Sequence, residues 1–182
     1  MKKITIVDYK HPVIRQSLSL ITSFDQTLQQ KIADLKLGLT QSKVAGVGIA
    51  SNQIGQTDRL FVIKFGKNFV PFINPEVVTA SENQTIRYEG CLSVPKMFGK
   101  VKRYAQITIR AQDHRGKPLE KTYKGLAARI FQHELDHING QLFVDRIIEQ
   151  HGRLFKVTGK DKKGKDTFVE VRYQKTARHT NQ

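Results

Sequence analysis

The stretch that most limits what this chain can become is residues 125–140, GLAARIFQHELDHING. Leu126, Ile130, His133, Glu134, His137 and Ile138 fall on one broad face at helical spacing, and Asn139-Gly140 supplies the stop. An amphipathic helix ordinarily buries an apolar face. This face is apolar at Leu126 and Ile130 and turns polar at His133 and His137, so whatever covers it must satisfy imidazole and carboxylate groups. Residues four apart on a helix lie about 6 Å apart at Cβ, near enough for two imidazoles to close on one ion. Glu134 lies beside them, where H-E-x-x-H metalloproteases keep the group that takes a proton from water. The bland alternative is a pair of helix-surface histidines that bind nothing.

Two histidines leave a metal site short of a ligand. The longer pattern H-E-x-x-H-x-x-G-x-x-H is matched as far as Gly140, but its last position is Phe143, which cannot ligate. Downstream candidates are Asp145, Glu149 and His151; the segment after Asp145 reads as short, basic and mostly strand-like, which weakens Glu149. Cys91, in the stretch YEGCLSVP, is the better candidate. Gly90 before it permits close backbone approach and Pro95 after it stops any helix. A thiolate with two neutral imidazoles would leave a divalent ion one net positive charge and an open fourth position. A lone cysteine can equally be a small buried hydrophobe. Because Cys91 is the one cysteine, no intrachain disulfide is available, which fits a reducing compartment.

Elsewhere the pattern is mixed. Leu28, Ile32, Leu35 and Leu39 recur at spacings of four, three and four, predicting an amphipathic helix over 25–39 with Asp25 as N-cap. A glycine-rich turn at Gly46, Gly48 and Gly55 feeds an apolar strand at 59–63. It lacks the Lys-Ser/Thr of a phosphate loop. Residues 69–73 and 76–79 read as short strands broken at Asn74-Pro75. Strict alternation predicts a strand over 104–112 and a turn at 113–116, with 119–124 returning beside it. Strands are also expected at 153–158 and 167–173. The sum is an α+β fold: short antiparallel sheets packed around a central HExxH-bearing helix, with an N-terminal amphipathic helix, two main helices in all.

At 182 residues and 38% hydrophobic content the chain is expected to form one catalytic domain, 1–182, in which the basic segment 151–182 is a strand plus a flexible end. No apolar run approaches a membrane span and the N-terminus has no apolar secretion core, so a soluble, cytoplasmic protein is expected. Net charge is +15, a field that favours encounters with polyanions such as RNA or ribosomes. From residue 151 onward, nine Lys or Arg against three Asp or Glu leave about +6. His11, His114, His151 and His179 sit in turn or tail contexts and read as surface residues.

Three segments together resemble the peptide deformylase family: GVGIASNQ at 46–53, EGCLS at 89–93 and QHELDH at 132–137, in order and roughly 40 residues apart. HPVIRQ, FINPEV and INGQLFVDR flank them as in that family. The resemblance implies hydrolysis of the formyl group from N-formylmethionine of nascent chains, giving formate. It implies Cys91, His133 and His137 as ligands of one Fe²⁺, with Zn²⁺, Ni²⁺ or Co²⁺ as substitutes. Glu134 is implied as proton acceptor and donor, and the Gln53 side-chain amide with the Leu92 N–H as oxyanion donors. Val47, Gly48, Glu89, Gly90, Leu126 and Ile130 would meet the substrate, whose extended backbone pairs near Val47 and Gly90. Asp136 is read either as an anchor, with Arg103 as partner, or as a solvated charge. A monomer is expected, with ribosome contact through the basic surface. Two departures stand out: Ser51 where the family commonly has a second alanine, and a strand-like basic tail where many bacterial members carry a basic helix. Two competing readings are an H-E-x-x-H metallopeptidase with a downstream carboxylate ligand, and a basic RNA- or ribosome-associated module with a structural metal.

Overall fold

The computed structural model describes residues 2–173. His179 and the end of the basic segment lie outside them. The first helix, α1 (Gln26–Gln41), begins where expected: the Asp25 carboxylate accepts from the Leu28 N–H, capping the first turn. Leu28, Ile32, Leu35 and Leu39 are all buried, packing against β1 (Gly48–Ala50) and β2 (Leu60–Phe65). A short 3₁₀ turn, Ser51–Ile54, joins those two strands.

From there the chain builds an antiparallel five-stranded sheet in the order β1-β2-β3-β6-β7, with β3 at Asn68–Ala80, β6 at Gln106–Gln112 and β7 at Pro118–Lys124. The break expected at Asn74-Pro75 is instead an irregularity inside one long strand. Asn74 adopts φ 50° and its amide pairs with the backbone of Ile21, accepting from the N–H and donating to the carbonyl. A left-handed Asn thus takes up the kink that a proline without an N–H would force on the ladder.

A second antiparallel sheet has the order β4-β5-β8-β9, formed by Gln84–Cys91, Val94–Tyr104, Leu154–Lys160 and Asp166–Val171. Residues 104–112 are not one strand: Tyr104 ends β5 in this sheet and Gln106 opens β6 in the other, with Ala105 as the crossing point. The alternation survives the crossing, which is why it misled.

Helix α2 (Gly125–Ile138) lies between the sheets. Its Phe131 meets Phe61 and Phe72 of the five-stranded sheet edge to face. The two-helix count needs correction, because Phe143–Glu149 forms a third helix, α3, where the sequence suggested strand. Phe143, Val144 and Ile147 are buried there. Its start carries no Ser, Thr or Asn; instead the Asp145 carboxylate reaches back to the Leu142 N–H at 2.8 Å. Between α2 and α3, Gly140 sits at φ 70°, and a Cβ there would collide with the Arg15 carbonyl. Its match to the longer protease pattern is therefore explained by its left-handed backbone and its close approach to Arg15.

Candidate metal centre

The polar face of α2 is covered by the β4–β5 hairpin. Cys91 ends β4, and its Sγ lies 3.1 Å from Nε2 of His137. One ligand atom each from Cys91, His133 and His137 falls within 4.8 Å of the others. A thiolate and two imidazoles are a donor set suited to Fe²⁺, Zn²⁺, Ni²⁺ or Co²⁺, so these side chains could hold an ion. Of the downstream alternatives, the Asp145 carboxylate takes Arg15 at 2.5 Å and the Glu149 carboxylate takes Arg146 at 3.0 Å. His11 and His151 are exposed, His114 is half-buried, and none joins the cluster.

Behind the ligands stands a buried ion network. The Glu89 carboxylate accepts from His133 Nδ1 at 3.0 Å, which leaves Nε2 as that ring's ligand atom. It also accepts two bonds from Arg103 and one from Arg129. Arg103 continues to Asp136, which Arg146 holds from the other side. Asp136, 5% exposed, is therefore an anchor and not a solvated charge. Burial pushes the Glu89 carboxyl up, but the bonds from His133 and Arg103 outweigh it and hold it well below the usual range. Burial, joined by the cations Arg103 and Arg15, pushes His137 well below its ordinary value, which keeps the ring neutral, as ligation requires.

Glu134 is 3% exposed and its Oε2 has no hydrogen-bond partner among the described residues. Burial pushes its carboxyl up to about 7, with Glu89 adding and His133 and Arg103 opposing. Gly48 explains how the carboxylate fits, since a Cβ at that position would collide with Glu134. The Gln53 amide accepts from the Ala50 N–H and donates to Ser93 Oγ at 3.2 Å and Cys91 Sγ at 3.5 Å. Asn52, which sequence reasoning passed over, donates to the His137 carbonyl at 2.6 Å and so fixes the end of the helix against the 3₁₀ turn. Its place inside SNQ was the available signal. Ser51 is fully buried and its hydroxyl donates to the Asp58 carbonyl, so the departure from alanine is accommodated by a hydrogen bond.

A cavity of about 390 Å³ opens above this cluster. Gln53, Leu92, Cys91, His133 and Glu134 line it, together with Val47, Gly48, Glu89, Gly90, Leu126 and Ile130. Leu126 is 66% exposed at its rim, whereas Ile130 is buried in the core beneath. The cavity is flanked by β1 and β4, each the outermost strand of its sheet.

An α+β fold whose two sheets enclose a helix bearing His-Glu-x-x-His, met by a cysteine from a neighbouring hairpin, defines a metal-dependent hydrolase. The family profile described as polypeptide deformylase matches residues 3–153. The peptide deformylase of Thermotoga neapolitana is 40% identical over 136 residues, 75% of this chain and 82% of that one. Among solved structures, that of the Thermotoga maritima peptide deformylase matches with a TM-score of 0.76 at 36% identity, over 80% of this chain and 98% of that one. The peptide deformylase of Synechococcus elongatus, solved in complex with actinonin, matches with a TM-score of 0.75 at 31% identity, over 79% of this chain and 78% of that one. The chain belongs to the polypeptide deformylase family.

Proposed function

We propose that the chain is a single catalytic domain that removes the formyl group from N-formylmethionine of nascent polypeptides, with Cys91, His133 and His137 as the ligands of one Fe²⁺. The observation that carries this reading is the convergence of those three ligand atoms within 4.8 Å, beside the buried Glu134 carboxylate, whose Oε2 has no hydrogen-bond partner among the described residues. When bound, the ion supplies Lewis acidity, polarising the formyl carbonyl and acidifying water. Zn²⁺, Ni²⁺ or Co²⁺ can substitute.

The chain's own residues do the rest. Glu134, with a carboxyl near neutrality, accepts a proton from the attacking water and delivers it to the departing amine. The Gln53 amide and the Leu92 N–H donate to the oxyanion, which requires the Gln53 amide to exchange its bond to Cys91 for one to substrate. Glu89 orients His133. The free edges of β1 and β4 support an extended substrate lying between them, near Val47 and Gly90, with the methionine side chain against Leu126 and Ile130. No helix among the described residues is long and apolar enough to cross a membrane. A cytoplasmic monomer, drawn toward ribosomes by its net charge of +15, fits this work.

The test is formate release from formyl-Met-Ala by Ni²⁺- or Co²⁺-loaded protein. Fully loaded protein that releases no formate would overturn the reading. Cys91→Ala is expected to abolish stoichiometric metal binding, and the Co²⁺ form to lose its thiolate charge-transfer band. Retained metal would favour a metallopeptidase-like ligand set. A second expectation concerns Gly48→Ala: the added methyl displaces the Glu134 carboxylate, so kcat should fall about 100-fold with metal content unchanged. Steady-state kinetics alongside metal analysis measure both quantities.

A further inference from the structure

The four-stranded sheet carries one aromatic ring from each strand in a cluster on its outer face: Tyr88, Phe98, Phe155 and Phe168. Phe98, Phe155 and Phe168 pack as a triangle with centroids 5.8, 5.7 and 5.5 Å apart, and Tyr88 lies 5.8 Å from Phe98. The cluster is not core, because Tyr88 and Phe168 are 57% and 55% exposed while the alternate positions Glu89, Gly99, Val101 and Leu154 are buried on the inner face. Cations accompany the rings. Lys100 Nζ lies 5.3 Å over Tyr88, and the Arg153 guanidinium 5.3 Å over Phe155. Lys102 shares the outer face of β5 by alternation and is exposed. The exposed β8–β9 turn adds Lys162, Lys163 and Lys165 at the tip of the hairpin that carries Phe155 and Phe168, with Lys160 paired to Asp166. Glu170, the acid beside Phe155 in the register, is taken by Arg153.

From this arrangement we propose that the outer face of the β4-β5-β8-β9 sheet binds single-stranded RNA, with bases stacked on the exposed rings and phosphates held by the flanking lysines. Exposed rings at the two sides of the cluster, Tyr88 and Phe168, with lysines around them, suit a ligand that alternates π-faces with negative charge. A second copy of this chain fits poorly, since each carries +15. The preference for RNA over DNA rests on the proposed deformylase reading, as nascent chains are made on RNA. The surface itself does not depend on that reading.

The experiment uses the full Ni²⁺-loaded chain and a fluorescein-labelled 12-mer oligouridylate, read by anisotropy over a salt series. The comparison arms are a 12-mer of single-stranded DNA, duplex RNA of the same length, and phosphatidylserine–phosphatidylcholine vesicles. Phe168→Leu, which keeps apolar bulk and loses the ring, is expected to weaken binding of the 12-mer about tenfold and to leave formate release unchanged. Phe168→Tyr should restore it. Lys100→Gln should lower the slope of log affinity against log salt by about 0.7. Wild-type binding by Phe168→Leu, or equal or tighter binding of DNA, duplex or vesicles, would overturn the proposal. Loss of formate release in every variant and in the wild-type chain would bear on the deformylase reading and leave the RNA measurement intact.

Discussion

Glu134→Gln is expected to lower formate release by about 10²- to 10⁴-fold while the bound metal stays stoichiometric, because the three ligands are untouched and only the proton acceptor is lost. Glutamine is nearly isosteric, so it occupies the space that Gly48 leaves open. The same substitution should make the metal-free chain more stable at pH 8. Burial holds the Glu134 carboxyl at about 7, above the ordinary 4.5, so the buried ionised form is the costly one. That cost is absent below about pH 4.5 and grows as pH rises through 7. Denaturation of wild type and variant at pH 4.5 and pH 8 reads the crossover. Activity within tenfold of wild type, measured on Ni²⁺-loaded protein, would remove Glu134 from the chemistry.

Glu89→Gln is expected to destabilise the fold by about 3–5 kcal/mol, the range for breaking a buried charge cluster by removing one partner. Arg103 and Arg129, each 5% exposed, would keep their charges without the carboxylate that now accepts from both. The sign of the pH dependence is opposite to that of Glu134. Glu89 is depressed in the folded chain, so its contribution is complete above about pH 4.5 and fades as pH falls further. Urea denaturation should therefore give a wild-type–variant gap that is flat from pH 8 to pH 5 and narrows in acid. Metal affinity should drop about 10- to 100-fold as well, since His133 loses the group that orients it. A gap under about 1 kcal/mol would mean that the cluster is structurally idle.

Much of this site can be read from residues alone because its chemistry is local in sequence. His133, Glu134 and His137 share one helical face, and EGCLS is a compact motif around Cys91. Helix α1 is legible for the same reason, since four leucine or isoleucine positions and a capping Asp25 lie within sixteen residues. What escapes the sequence depends on contacts between distant segments. Asp136 is an anchor because Arg103 and Arg146 come to it from another strand and another helix, and periodicity cannot distinguish it from a surface charge. Helix α3 is hidden by its brevity and by a start that uses Asp145 in place of a hydroxyl cap. The sheet-to-sheet crossing at Ala105 leaves the period of alternation intact, so two strands of different sheets look like one.

The candidate ligands do not come from one part of the architecture. Cys91 belongs to the four-stranded sheet, while the helix that carries His133 and His137 packs its apolar side into the five-stranded one. An ion held by all three is a cross-brace between halves that are otherwise joined by packing and by the Glu89–Arg103–Asp136 network. Occupancy and folding then become one equilibrium: an ion at about a hundred times its dissociation constant adds roughly 2.7 kcal/mol to the resistance against unfolding. A chain that exchanges its metal therefore changes its durability along with its reactivity.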